Sequence, residues 1–404
     1  MTDDPRSDIV AQQYERWMYP QPIPDLQAWS ADHWEWFDPS HAHRIFWPDR
    51  SYKPDLDILV AGCGTNQAAV FALNNPRASV VAIDVSRPSL ENHRRLRDRH
   101  GLKNLDLRLL PIEEVHTLGR EFDLIVSSGV LHHLADPVRG LRSLAGCLKP
   151  HGVAALMLYA RYGRIGVEML QSVFRDLGLG QDESSVGIVR DALEGLPGDH
   201  PVASYLQIAP DLKYDAGLVD TFLHGRERSY TVEECLGLVA SAGVSFQDLF
   251  FKAPYHPPPW AAGPFFAEVA AQAPTRQWSI MERVQFNNGC HFFMACRADR
   301  PRETYQMDFE AEGASRWVPF LRHRCRLEEG RLHRSDWSIP LEPDHLAFVQ
   351  RVDGSRTLAE IVSEMPVIRS LPVQDPVARE VFAKTLFQVL WRLDFLGVGL
   401  DRVD

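Results

Sequence analysis

The fold is decided by residues 57–85, which read DILVAGCGTNQAAVFALNNPRASVVAIDV. Two short apolar runs, at 57–61 and 79–83, stand on either side of a glycine pair and a helix-length segment that begins after Asn66. Short apolar runs joined by a helix are typical of a βαβ unit, in which two parallel strands lie side by side. The stretch therefore predicts an α/β fold built on a parallel sheet.

The same stretch contains a candidate nucleoside site. Gly62 and Gly64 allow the backbone to turn sharply and to come close to a ligand, and Asp84 ends the second run. A carboxylate at that place can accept hydrogen bonds from both hydroxyls of a ribose. Residues 65–67, Thr-Asn-Gln, stand where a dinucleotide site has its third glycine, so an adenosine ligand other than NAD is favoured. The alternative is a tight turn followed by a surface aspartate.

The pattern of strands continues beyond this stretch. Five further apolar runs have strand length: 105–110, 122–127, 153–159, 244–251 and 289–296. Helical segments at 87–99 and 137–148 alternate with the earlier runs, as in a doubly wound sheet. Residues 160–230 lack strand alternation, so they predict an inserted helical cap. Thr231-Val-Glu-Glu then opens a helix with the spacing of a capping box. The predicted fold is a doubly wound, seven-stranded, Rossmann-like sheet with this cap.

Five segments resemble the motifs of the class I S-adenosylmethionine-dependent methyltransferases. They are LVAGCGTN (59–66), AIDVS (82–86), LLPIEEV (109–115), FDLIVSSGVLHHLADP (122–137) and the strand that follows LKPHG (148–152). The resemblance covers roughly residues 55–298 and implies the strand order 3-2-1-4-5-7-6, with the last two strands forming an antiparallel edge hairpin. It also implies S-adenosylmethionine as the cofactor and methyl transfer as the activity.

The resemblance further implies which residues bind the cofactor. They are Gly62, Cys63 and Gly64 at the methionine portion, Asp84 at the ribose, Val85 beside the adenine, Ile112 and Glu113 at the ring edge, and Ser128 and Gly129 under the sulfonium. Two positions depart from the family. Ala61 stands where an acid often precedes the first glycine, and no aspartate lies near Pro111. The carboxylates that usually approach the amino group and the adenine are therefore weakened or replaced.

Residues 1–50 predict an N-terminal arm that is rich in aromatic side chains. Several prolines, including Pro20 and Pro22, argue against one long helix. The segment YERWMYPQP (14–22) resembles the tyrosine-bearing arm that covers the cofactor in several such methyltransferases, which implies that Tyr14 and Tyr19 lie near the cofactor. The alternative is an arm that only packs its rings on the core.

Two adjacent histidines, His132 and His133, follow the fourth predicted strand. Methyl transfer is an in-line displacement that needs alignment, exclusion of water and, for a protonated acceptor, a base. A histidine has a pKa near neutrality by default, so either ring is a candidate base. The alternative is a structural role, in which the rings hydrogen-bond the backbone or cap the next helix.

Four residues are candidates to line the acceptor pocket: Tyr159, Tyr162, His224 and Tyr230. Tyr159 is equally consistent with packing. The six cysteines are scattered without a C-x-x-C spacing, so no metal site is predicted and the thiols are expected to be reduced and mostly buried.

The predicted methyltransferase domain spans 51–298, and residues 299–404 predict a small accessory domain with helices at 344–365 and 377–396. Within it, FVQRVDGSRTLAEIVSEM (348–365) predicts an apolar helix, a turn at Asp353-Gly354 and a second helix with Thr357 as its N-cap and Glu360 three residues on. This stretch resembles the helical half of the peptide-recognising winged-helix domain of PqqD-like proteins. The resemblance implies a docking site for a peptide or protein. The alternative is an appended structural or dimerisation module, which leaves a homodimer open.

Composition limits the partners. The chain has 43 basic and 54 acidic residues and a formal charge of −11, which disfavours a dedicated nucleic-acid binder. No apolar run reaches the roughly 20 residues that cross a bilayer, and the first residues do not resemble a signal peptide. These features predict a cytoplasmic protein that does not enter membranes.

The favoured acceptor is a small molecule, because a cap and an aromatic arm can enclose a pocket and exclude water. A protein or peptide methyltransferase, with the C-terminal domain as its recognition module, is the first alternative. A sensor that binds S-adenosylmethionine or S-adenosylhomocysteine without turnover is the second. The hypothesis of an RNA substrate is supported only by the arginines that cluster in the C-terminal part.

Overall fold

The computed structural model describes residues 4–6, 8–258, 261–365, 367–372 and 374–400. The chain forms two compact units. The first comprises Met1–Phe37, Pro54–Phe246 and Ser279–Asp299, and the second comprises Asp38–Lys53, Gln247–Trp278 and Arg300–Asp404. The division into domains at residues 50 and 298 stays a prediction.

The central sheet has seven strands: β1 Asp57–Ala61, β2 Ser79–Asp84, β3 Leu105–Leu109, β4 Phe122–Ser128, β5 Leu148–Tyr159, β6 Val244–Leu249 and β7 Cys290–Arg297. Their order is β3-β2-β1-β4-β5-β7-β6, which confirms the predicted order. The neighbours from β3 to β5 pair in parallel, and β5 pairs with β7 antiparallel. The predicted fold class is confirmed.

Burial explains why the first strand reads as a continuous apolar run. Ile58, Leu59 and Val60 have no exposed surface, and Leu59 lies opposite Val81 of β2. A central parallel strand is covered on both faces, so neither face can carry polar side chains. Because β1 pairs in parallel with both β2 and β4, the carboxyl ends of these three strands lie at the same edge of the sheet. The glycine turn and Asp84 lie at this edge.

The helices, numbered in chain order, are α1 Ile9–Arg16, α2 Leu26–Asp32, α3 Pro39–Phe46, α4 Gln67–Asn74, α5 Arg87–His100, α6 Pro137–Ala145, α7 Ile165–Asp176, α8 Glu183–Gly195, α9 Ala203–Ile208, α10 Asp215–Phe222, α11 Val232–Ser241, α12 Pro264–Ala270, α13 Pro274–Val284, α14 Pro343–Val349, α15 Leu358–Ser363 and α16 Pro376–Arg392. Among the described residues, none of these helices is long and apolar enough to cross a membrane.

Two helix starts are fixed by reciprocal side-chain caps, both at positions with capping-box spacing in the sequence. Thr231 and Glu234 form the box at α11, and Thr357 and Glu360 form it at α15. Such a cap satisfies backbone donors that a helix leaves without a partner and contributes about 1 kcal/mol. Both boundaries could therefore be predicted from the sequence.

The predicted cap is helical. All of residues 160–230 are described, and they contain α7 to α10 and no strand of the sheet. Val167 and Leu170 of α7, Val189 of α8 and Leu218 of α10 share one apolar core. The segment is therefore a packed helical insertion between β5 and β6.

The C-terminal part of the second unit has its own apolar core and five short strands. They are β8 Val318–Leu321, β9 Arg326–Glu328, β10 Arg331–His333, β11 Ser338–Pro340 and β12 Leu396–Gly399. Strand β12 pairs with β8, and β9 to β11 form a separate three-stranded sheet. Phe348, Ile361 and Phe387 lie at the centre of the core.

The structure confirms the predicted turn within 344–365 and corrects one predicted helix. Helix α14 ends at Val349, the chain turns at Gly354, and α15 begins after its N-cap Thr357. The segment 377–396 is a helix only as far as Arg392. Asp394 then has a left-handed φ of 63°, which turns the chain into β12. The winged-helix resemblance stays a prediction.

Candidate functional site

A cavity of about 590 Å³ lies in the first unit, beside the residues that follow β1, β2 and β4. Its volume falls in the range of about 300–1,000 Å³ that is usual for small-molecule sites. All eleven residues predicted to bind the cofactor line it: Gly62, Cys63, Gly64, Asp84, Val85, Ile112, Glu113, Ser128, Gly129, Tyr14 and Tyr19. The fold thus brings this predicted set together around one space.

The glycine turn forms one wall of the cavity, and its conformation requires glycine. Gly62 and Gly64 have φ angles of 73° and 53°, in the left-handed region that side chains disfavour. A Cβ atom on Gly62 would lie 2.4 Å from Val130 Cγ2, and one on Gly64 would lie 3.0 Å from Pro20 Cδ. Both the backbone conformation and the packing of Val130 and Pro20 therefore require glycine at these two positions, which line the cavity.

Asp84 lies at the end of β2 and is 9% exposed. Its Oδ2 accepts a hydrogen bond from the backbone N–H of Gly64 at 2.8 Å, and its Oδ1 accepts one from Ser86 at 2.8 Å. Burial raises the pKa of the carboxyl to about 6, against the opposing effect of these N–H groups. The carboxyl lines the cavity, where it is placed to accept a hydrogen bond from a ribose hydroxyl.

The arm is hydrogen-bonded directly to the glycine turn. Thr65 Oγ1 donates to the carbonyl of Pro20 at 2.7 Å, and Asn66 Nδ2 donates to that of Gln21 at 2.8 Å. Asn66 Oδ1 accepts from the backbone N–H of Ile23 at 2.8 Å. The side chains that replace the third glycine therefore hold the arm, a role that sequence reasoning missed.

Other cavity residues also escaped prediction. Trp29, Trp34 and Trp36 of the arm line the space, as does Met157 of β5. The density of aromatic residues in the arm was the available signal for the tryptophans. Glu113, a predicted residue, adds a buried Oε2 atom that has no hydrogen-bond partner in the described part of the chain. Such an orphaned acceptor fits a donor on a bound ligand, for example an exocyclic amine.

His132 does not line the cavity, which corrects its predicted place at the acceptor. The ring is 1% exposed and stacks on Tyr159 with the ring centroids 4.0 Å apart, and its Nδ1 accepts from the backbone N–H of Tyr159 at 3.3 Å. The expected near-neutral pKa is also wrong, because burial lowers the pKa of His132 well below its usual value. His132 therefore packs behind two residues that do line the cavity, Tyr159 and His133.

His133 does line the cavity. Its Nδ1 donates to the carbonyl of Arg226 at 3.0 Å, so Nε2 of the neutral ring carries a lone pair. Within the described residues that Nε2 atom is buried and has no partner. Burial lowers the pKa of His133 to about 4, in place of the near-neutral value expected. The ring is therefore neutral at pH 7 and a hydrogen-bond acceptor, but a weak base.

His133, Asp220 and His224 form a polar cluster beside the cavity. The sequence predicted the two histidines as separate site residues and did not predict Asp220. The ring of His224 stacks on His133 with centroids 3.9 Å apart, and ligand-type atoms of His133, Asp220 and His224 lie within 4.8 Å of one another. His224 Nδ1 accepts from the backbone N–H of Arg226 at 3.0 Å, so Nε2 holds the ring proton. A metal ion would need that nitrogen deprotonated, so the donor set favours a hydrogen-bonded cluster.

The remaining predicted acceptor residues lie in different places. Tyr159 lines the cavity, whereas Tyr162 and Tyr230 are absent from its described lining, so their role at the acceptor stays a prediction. Tyr230 lies outside the described lining because its backbone forms a bridge to Ala160 and its ring packs against the guanidinium of Arg228. The strand-end position of Tyr159 was sufficient to find it, whereas the spacing of the other two was not.

An ion pair supports this wall of the cavity from behind. Arg164 and Glu227 side chains are 0% and 5% exposed, with Nη2 and Oε1 2.7 Å apart. The guanidinium also lies 3.8 Å from the centroid of the Tyr159 ring. Burial disfavours the charge, yet the carboxylate of Glu227 and the nearby tyrosines raise the pKa of Arg164 above its usual value. The pair is charged and fixes the position of Tyr159.

Comparison with known proteins gives a family match for part of the chain. The model of a methyltransferase domain matches residues 59–154. An uncharacterized protein of Synechococcus sp. is 30% identical over 254 residues, which cover 60% of this chain and 60% of that protein. An uncharacterized protein of Rickettsia prowazekii is 24% identical over 216 residues. The match covers 50% of this chain and 80% of the Rickettsia protein.

The solved structure of PKMT2 from Rickettsia typhi in complex with AdoHcy is similar over most of this chain. The TM-score is 0.63 at 13% identity, and the match covers 90% of this chain and 75% of that one. At 13% identity this similarity concerns the fold alone. The similarity in fold is consistent with the seven-stranded methyltransferase-type sheet described above.

Proposed function

We propose that this chain, which carries a class I S-adenosylmethionine-dependent methyltransferase domain, transfers a methyl group to a small molecule bound in the 590 Å³ cavity. One observation carries the proposal. The glycine turn and Asp84 line the same space as His133 and Tyr159, so a donor and an acceptor can be held side by side. S-adenosylmethionine supplies the electrophilic methyl group when it is bound.

The protein's own contribution is alignment and exclusion of water. Gly62 and Gly64 present backbone, Asp84 presents acceptor oxygens to the ribose, and the arm that contacts Thr65 and Asn66 covers the turn. Holding two reactants at contact distance removes most of the entropic cost of a bimolecular reaction. His133 Nε2 is proposed to accept a hydrogen bond from the acceptor and so to orient the attacking atom.

The change His133→Ala tests this orienting role. We expect turnover to fall about tenfold to a hundredfold, since one directed hydrogen bond to the acceptor is lost. The affinity for S-adenosylhomocysteine should stay within about twofold of the wild-type value, because the ring faces the acceptor. Steady-state kinetics and calorimetry measure the two quantities. Unaltered turnover would contradict the role.

A protein or peptide acceptor is the second candidate. It is supported by the separate apolar core around Phe348 and Phe387, which lies outside the segment matched as a methyltransferase domain. Incubating the full chain with a cell extract and methyl-labelled S-adenosylmethionine separates the two acceptors. The same extract without the chain is the reference. Additional label in the ultrafiltrate on a compound other than S-adenosylmethionine favours the small molecule, and additional label in the protein fraction favours the polypeptide. Cofactor binding with no additional label on either kind of acceptor favours the sensor.

A further inference from the structure

Asp220, on α10, is a buried carboxylate that lines the cavity and is 1% exposed. Tyr14 donates its hydroxyl to Oδ1 at 2.7 Å, and Tyr159 donates to Oδ2 at 3.3 Å. Within the described residues no lysine or arginine forms an ion pair with it. Buried carboxylates are usually paired with a cation, so this one faces the cavity without its counter-ion.

The groups around Asp220 add negative charge and aromatic surface. Tyr19 donates to Asp211 at 2.6 Å, and the carboxylates of Glu227 and Asp211 raise the electrostatic cost of a negative charge on Asp220. Arg164 is the nearby cation, but it already pairs with Glu227. The neighbouring histidines, His133 and His224, have lowered pKa values and are neutral at pH 7. The tyrosine and tryptophan rings of the cavity complete a surface that suits a bound cation.

Building on the methyl transfer proposed above, we propose that the acceptor is an amine that enters as an ammonium ion, and that Asp220 binds this ion and takes its proton. An ammonium nitrogen has no lone pair and must lose a proton before it can attack. Burial raises the pKa of Asp220 to about 7, against the hydrogen bond from Tyr14, so its carboxyl can hold a proton near neutral pH. His133, with its lower pKa, is the weaker base of the two.

The step balances without a further reactant. One N–H bond of the ammonium breaks and the proton bonds to a carboxylate oxygen of Asp220. The nitrogen lone pair forms the new N–C bond, while the C–S bond of the donor breaks and its electron pair stays on sulfur. The sulfonium charge is thereby lost, and the methylated amine carries the positive charge. Asp220 returns its proton to water after the product leaves.

The test compares wild-type protein with Asp220→Asn, and uses Asp215→Asn as the matched control. Asp215 lies on the same helix, but its side chain is 56% exposed and pairs with Arg190 at the surface. Full-length protein saturated with S-adenosylhomocysteine is titrated with benzylammonium and with benzyl alcohol, which have similar shapes and different charges. The affinities for S-adenosylmethionine and S-adenosylhomocysteine are measured in the same series.

We expect wild-type protein and Asp215→Asn to bind benzylammonium about tenfold more tightly than the alcohol, because a charge-assisted hydrogen bond is present only with the ammonium. Asp220→Asn should lose this preference and keep its affinity for S-adenosylhomocysteine. The preference of the wild-type protein is informative even if the variant does not fold, since equal binding of the two probes would overturn the proposal.

Three other outcomes would also overturn it. The first is a preference for benzylammonium that survives in Asp220→Asn. The second is weaker binding of S-adenosylmethionine with unchanged binding of S-adenosylhomocysteine in that variant, which would mean that Asp220 faces the sulfonium. The third is transferred label that base releases as methanol, which identifies a methyl ester. Wild-type protein that binds no S-adenosylhomocysteine would instead contradict the proposed function itself.

The incubation with a cell extract and methyl-labelled S-adenosylmethionine also identifies the source of the amine. Label on a small amine in the ultrafiltrate and label on lysine recovered after acid hydrolysis of the protein fraction both support an amine acceptor. The first identifies a free metabolite and the second a polypeptide side chain.

Discussion

Replacing Arg164 with leucine is expected to lower the free energy of unfolding by about 3–5 kcal/mol. The guanidinium is fully buried against the carboxylate of Glu227, which is itself 5% exposed. Removing one partner leaves the other charge buried without compensation, which costs far more than a lost surface contact. The stacking of Arg164 on Tyr159 is lost as well. Urea unfolding at neutral pH, followed by circular dichroism, measures the change.

The double variant Arg164→Leu, Glu227→Leu is the control for this explanation. Replacing both charges with apolar groups removes the uncompensated charge, so most of the lost stability should return. Arg190→Leu breaks a pair in the same cap whose side chains are 43% and 56% exposed, and it should have little effect. A double variant as unstable as Arg164→Leu would show that the buried charge is not the cause.

Replacing Asp84 with alanine is expected to weaken the binding of S-adenosylmethionine and of S-adenosylhomocysteine by about 1.5–3 kcal/mol. The proposed hydrogen bonds to the ribose are lost, and so are the bonds that Asp84 makes to Gly64 and Ser86. Calorimetry with S-adenosylhomocysteine measures the loss. Asp106→Ala, at a half-exposed side chain of β3, is the matched control and should bind normally. Unchanged affinity in Asp84→Ala would contradict the ribose assignment.

The same carboxyl predicts a dependence of binding on pH. Burial raises the pKa of Asp84 to about 6 in the ligand-free protein. Above that pH the group is an ionised acceptor, and below it a proton competes with the ribose for the oxygens. Affinity for S-adenosylhomocysteine should therefore be constant from about pH 8 to 7 and should fall below pH 6 by up to about tenfold per unit. In Asp84→Ala this fall should be absent.

The parts of the fold that were predicted correctly depend on neighbours along the chain. The runs at 57–61 and 79–83, the intervening glycines and Asp84 follow one another within a single βαβ unit, and their spacing determines the turn. The capping boxes at Thr231 and Thr357 are equally local. Strand order could be predicted because the motifs resemble those of a family whose order is fixed.

The parts that could not be predicted depend on distant contacts. Asp220 lies 206 residues from Tyr14, with which it forms a hydrogen bond. The mixture of charged and aromatic residues at 220–230 predicts the edge of a pocket, but it does not single out Asp220 or its tyrosine partners. The pKa values of His132 and His133 were expected near neutrality because burial is a property of the folded chain. The helix predicted for 377–396 was too long because the left-handed backbone at Asp394 has no clear sequence signature.

The hydrogen bonds from Thr65 and Asn66 to the arm have a consequence for exchange of the donor. They connect residues 20–23 of the arm to the glycine turn, which is proposed to bind the methionine portion of the cofactor. Movement of residues 20–23 away from the turn would break all three hydrogen bonds. In the proposed enzyme we therefore expect weakening of these contacts, for example by Asn66→Ala, to speed the dissociation of S-adenosylhomocysteine, which stopped-flow measurements would test.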